Sequence, residues 1–137
     1  MKKFRFRLEP LLRHRALLEK QALSTFALAQ KSFATLRSRA NDLQEMIARD
    51  APGCDVRSYF ERIDSTMRVR TQTLQHIAVA AHALELQRAS LVGAMRDRRA
   101  LQTLKERAYA AHRVAVERAE DRESEEIARS RVSRVVL

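Results

Sequence analysis

The chain has 137 residues and a formal net charge of +10; 32% of it is charged and 5% aromatic, with two Gly, two Pro and no Trp. That length fits one ordinary domain, but so much charge with so few aromatic side chains excludes a large compact core. A basic balance of this size narrows the partners to nucleic acid, anionic lipid or an acidic protein surface.

Leu, Ala, Arg and Glu dominate. These side chains lose little rotamer freedom in a helix, so the composition favours long helices burying a seam over sheets. No run reaches the roughly 20 apolar residues a membrane span needs, so no membrane insertion is expected. The opening MKKFRFRLEP has no continuous apolar stretch of the secretory kind. Cys54 is alone, so no internal disulfide forms, and a reducing cytoplasm is the simplest compartment.

The first twenty residues carry seven Lys/Arg against two Asp/Glu, half of the net charge. Residues 4–22 read FRFRLEPLLRHRALLEKQA, in which Phe alternates with Arg before leucines recur at helical spacing. Pro10 suits a first helical turn, where a missing N–H costs nothing. A helix is predicted from about 9 to 49, with a seam at Leu11, Leu18, Ala22, Phe26, Ala29, Phe33, Leu36, Ala40, Leu43 and Ile47. From Ala22 onward the steps alternate 4 and 3, a heptad pattern.

DAPGCD stops this helix, and a turn is expected over about 50–57. Ser58 followed by Glu61 reads as a capping box opening a second helix over about 58–129. Its predicted seam is Phe60, Ile63, Met67, Arg70, Leu74, Ile77, Ala81, Leu84, Arg88, Leu91, Met95 and Arg98. After a phase shift it continues through Leu101, Leu104, Ala108, Ala111 and Ala115. The arginine stems cover apolar surface while their guanidinium groups reach water. Glu45–Arg49, Asp64–Arg68 and Glu125–Arg129 are i,i+4 pairs with the acid first. Gly93 lies mid-helix, and the heptads on both sides carry the helix through it. The tail beyond 129 is expected to fray.

The predicted fold is therefore all-α: an antiparallel two-helix coiled-coil hairpin with unequal long helices, one coiled-coil domain over 1–137, monomeric. At 1.5 Å per residue the helices would measure roughly 60 and 105 Å. Folding about 52–56 sets Leu8 opposite residue 100 or so, and Phe33 and Leu36 beside Leu74 and Ile77. The second helix then overshoots by some thirty residues.

No catalytic constellation appears, so no enzymatic activity, metal or cofactor is expected. Only Gly53 and Gly93 exist, which rules out a glycine-rich phosphate loop. His14, His76, His82 and His112 lack ligand spacing and read as solvated. Cys54 has no His nearby in sequence, and Arg122 interrupts the acidic run EDRESEE at 120–126. The apolar face is a narrow seam suited to a partner helix rather than a bilayer. No recognisable nucleic-acid reader is present, so specific nucleic-acid binding is not expected. A coiled coil that docks into other proteins fits best.

Two stretches carry a resemblance to a known family. FRFRLEPLLRHRALLEKQA resembles the opening of the FliJ family of flagellar type III export proteins. RALQTLKERAYAAHRVAVERAEDRESEEIARSR, residues 99–131, is similar to that family's C-terminal pattern, a Leu–Lys–Glu–Arg core followed by an acidic stretch, here ending Glu125, Glu126, Ile127, Ala128. The chain departs from the pattern in its richness in Arg and its lack of Trp. The resemblance implies a cytoplasmic, non-enzymatic stalk, held peripherally at the inner face of the cell membrane through the export apparatus. Its implied partners are the hexameric export ATPase, the export gate membrane protein and export chaperones. The end bearing both termini would enter the ATPase pore, through Lys2, Lys3, Phe4, Arg5, Phe6 and Arg7 together with Arg99, Leu101 and Leu104. The export gate would meet Tyr59, Ile63 and Met67 near the turn. Alternatives are the homologous stalk of a virulence injectisome, or a basic coiled-coil adaptor or nucleic-acid-binding protein.

Overall fold

A computed structural model describes residues 3–53 and 55–136, so Lys2 and Cys54 lie outside the described residues. Two helices make up the fold: α1, Glu9–Arg49 with 41 residues, and α2, Val56–Val135 with 80. No strand occurs among the described residues. The all-α antiparallel hairpin with unequal helices is thus the fold of the chain.

α1 opens with Glu9 in its first turn and closes with Arg49 in its last, both favourable to the helix dipole. The connection is tied across its base, where Asp50 accepts two hydrogen bonds of 3.4 Å from the Arg62 guanidinium. α2 starts at Val56, earlier than the Ser58 capping box predicts. Asp55 is the cap. Its Oδ1 accepts the Arg57 N–H at 3.1 Å, and the Ser58 hydroxyl donates to its Oδ2 at 2.6 Å. A side-chain oxygen over the N-terminal amides is what an N-cap requires, and Asp55 is one residue before the first turn. Glu61, the expected partner of the box, pairs with Arg57 at 3.4 Å instead. The helix runs unbroken through Gly93, and it continues past residue 129 to Val135. The three expected i,i+4 pairs form at 3.4, 2.7 and 3.8 Å for Glu45–Arg49, Asp64–Arg68 and Glu125–Arg129.

The inward face of α1 follows the predicted seam from Leu18 to Ile47. At its start Leu12 is inward, only 7% exposed, whereas the predicted Leu11 is 41% exposed. In α2 one of the two inward rows agrees: Ile63, Arg70, Ile77, Leu84, Leu91 and Arg98 are half-buried. The other row runs one residue earlier than predicted, at Tyr59, Thr66, Thr73, Ala80, Gln87 and Ala94, although the predicted Ala81 and Met95 are half-buried beside it. Phe60, Met67, Leu74 and Arg88 are exposed as a result. Both flanks of the Ile63–Arg98 row keep heptad spacing, and the choice between them depends on the side α1 occupies. Threonine is accommodated inside because its hydroxyl donates to the carbonyl one turn back: Thr66 to Arg62 and Thr73 to Val69, each at 2.9 Å. Thr73 is 4% exposed and fully satisfied in this way. Arg70 turns its stem inward, with Nε buried and without a hydrogen-bond partner.

Contacts gather into two units, Met1–Ala16 with Arg96–Leu137, and Leu17–Met95. In the first, Arg15 pairs with Asp97 at 3.1 Å and Glu9 with Lys105 at 2.9 Å. Leu8 therefore lies beside a point further along α2 than residue 100. The inward row continues through Leu101, Lys105, Ala108, His112 and Val116, replacing the predicted Leu104, Ala111 and Ala115. From 117 to 136 every residue is exposed. The unpaired part of α2 is thus shorter than predicted, because the register has moved toward its C-terminus.

Candidate partner-docking site

Residues 3–6 are neither helix nor strand, and they precede the turn that leads into α1. Along this segment burial alternates. Phe4 and Phe6 are half-buried, while Lys3, Arg5 and Arg7 are exposed. An extended chain points successive side chains to opposite sides, so the Phe/Arg alternation sorts itself into an anchored apolar face and an outward cationic face. The Phe4 ring meets Tyr109 edge-on, with centroids 5.2 Å apart at 77°, and lies 5.4 Å from the His112 ring. Behind it, the Glu9 N–H donates to the Phe6 carbonyl at 3.2 Å.

Glu9 also receives the Lys105 ammonium at 2.9 Å, with the Arg13 guanidinium at 3.9 Å. Phe4, Arg5, Phe6, Arg7, Glu9, Pro10, Arg13 and Lys105 together line an open groove of about 830 Å³. Four cations face one carboxylate there. The residual positive field suits an acidic partner, since charge of this kind steers encounter and sets orientation.

Among the residues the sequence singles out, Phe4 to Arg7 come together in this groove, while Lys2 lies outside the described residues. Arg99, Leu101 and Leu104 do not line it. Arg99 and Leu104 are exposed on α2, whereas Leu101 is half-buried at a seam position. Arg13, Lys105, Tyr109 and His112 escape the sequence reading. The signal for two of them lay in plain periodicity, because the seven-residue row of Leu84, Leu91 and Arg98 runs on to Lys105 and His112. His112 is accordingly half-buried against Phe4 rather than solvated, while His14, His76 and His82 are exposed.

At the turn, Tyr59 and Ile63 are half-buried at inward positions. Met67 is 51% exposed, in a row with Phe60 and Leu74 at seven-residue spacing. Among the described residues no cluster of His, Cys, Asp and Glu could hold a metal ion, and no helix is long and apolar enough to cross a membrane.

A family model described as the flagellar FliJ protein matches residues 4–136. The chain belongs to the FliJ family. No similarity to a curated protein or to a solved structure is found. FliJ membership makes the chain a component of flagellar type III export, and the match spans both terminal stretches that carry the resemblance.

Proposed function

We propose that this FliJ protein is a cytoplasmic, non-enzymatic stalk whose basic end enters the pore of the hexameric export ATPase and promotes assembly of its ring. The observation that carries this reading is the grouping of Arg5 and Arg7 with Arg13 and Lys105 around one groove, with Lys3 exposed beside it, in a FliJ-family chain. Arg99, Leu101 and Leu104 of α2 would complete the inserted end. The exposed row centred on Met67 would meet the export gate, with Tyr59 and Ile63 holding the helix beneath it. Through the gate and export chaperones the protein would work at the inner face of the cell membrane.

The test is charge reversal. Arg5→Glu/Arg7→Glu should weaken stimulation of ATP hydrolysis by the cognate export ATPase and slow association. The effect should be strongest at low salt, because charges steer over a Debye length of about 10 Å at 0.1 M. Lys31→Glu, exposed on α1, should behave as the parent. Met67→Asp should spare ATPase stimulation and weaken gate binding. Intact stimulation in the terminal double variant, with stimulation lost in Met67→Asp, would show that the opposite end of the hairpin is inserted.

A further inference from the structure

Three cations of the proposed docking end, Lys3, Arg5 and Arg7, ride on a segment without regular secondary structure. Left to itself such a segment samples many conformations, and ordering it on binding costs affinity. Its hold on the helix is specific. Phe4 packs edge-on against Tyr109 and beside His112. These two residues sit three apart on α2, on neighbouring positions of one helix face. Tyr109 is 53% exposed, so its ring is not needed to fill the hairpin seam. Among the described residues its ring meets one other ring, that of Phe4.

We infer that Tyr109 and His112 form a seat for Phe4, and that this seat positions Lys3, Arg5 and Arg7 as an ordered row for the docking partner. The inference rests on the reading of this end as the ATPase-docking end. Tyr109 and His112 are positioning residues, since they act through Phe4 and carry no charge of the docking row. Phe4 is correspondingly an anchor on the protein's own helix rather than a contact offered to the ring. Losing an edge-to-face pair and the area it buries releases the segment about tenfold more often.

The full-length protein supplies its own reporter, because trypsin cuts after Lys3, Arg5 and Arg7. Cleavage at these bonds, followed by mass spectrometry, tracks the population of the released segment when opening is fast relative to cutting. Tyr109→Ala should raise cleavage after Arg5 and Arg7 about tenfold with unchanged helical circular dichroism, while Tyr109→Phe should match the parent. Phe4→Ala, which removes the other half of the contact, should reproduce the Tyr109→Ala pattern. In parallel, Tyr109→Ala should slow association with the export ATPase, and Tyr109→Phe should restore it. Unchanged cleavage in both Tyr109→Ala and Phe4→Ala overturns the seat. Raised cleavage with normal association, in a protein where Arg5→Glu/Arg7→Glu still slows it, overturns the positioning role and leaves the docking reading standing. Normal association in all of these variants overturns the docking reading and the positioning role together.

Discussion

Asp55 illustrates how one side chain decides where a helix begins. Its carboxylate accepts the Ser58 hydroxyl and the Arg57 amide, and these bonds hold its pKa below the ordinary aspartate range. A depressed folded-state pKa means that the stabilisation is complete above the unfolded value of about 3.9 and fades as pH falls through the lower folded value. Asp55→Asn keeps a good cap without the charge. Thermal melts should therefore show Asp55→Ala less stable than the parent at pH 7, with that difference shrinking as the pH drops below about 4. The Asp55→Asn profile should stay close to flat over the same window. The absence of a gap between parent and Asp55→Ala at pH 7 would show that Ser58 provides the cap after all.

At the scale of the helices, Leu11 and Leu12 are the clearest contrast. The two are chemically identical neighbours, yet one is 41% and the other 7% exposed. Leu12→Ala should cost about 3 kcal/mol in urea unfolding, and Leu11→Ala no more than about 0.5 kcal/mol. The same contrast explains what could be read from the sequence. The helices, their turn and the whole α1 seam from Leu18 onward follow from heptad spacing and from the cluster Pro52–Gly53. In α2 spacing alone left two flanks open, and apolar character pointed to the wrong one. Phe60, Met67 and Leu74 looked like core, but Tyr59, Thr66 and Thr73 occupy it. A threonine whose hydroxyl is satisfied by its own helix costs little to bury, and hydropathy does not register that. The cationic groove was half legible. Arg5 and Arg7 stand out in any reading, and Arg13 lies one turn beyond Glu9, whereas Lys105 joins them only once the register between the helices is known.

For the molecule as a whole, the net charge of +10 sets its behaviour toward any polyanion. Retention on DNA at low salt is expected, and it should fall steeply. With about four cations engaged, log K should drop with log salt at a slope of roughly −3 to −4. Column retention at stepped salt measures this slope, and sequence preference surviving at physiological salt would instead favour a nucleic-acid role. The hairpin also imposes an order of events. Asp50 and Arg62 are 12 residues apart in the chain, while Arg15 and Asp97 are 82 apart. Closing the longer loop directly costs about 1.7 kcal/mol more in chain entropy, so growth from the turn, pair by pair, is the cheaper route. On the ribosome, α1 is complete long before Tyr109 and His112 have been made. The basic segment at Lys3–Arg7 is thus synthesised well before its seat and is among the last parts to find its place. Its partner can recognise it in ordered form only on a molecule whose synthesis has passed His112, which makes that end a built-in record that the hairpin has closed.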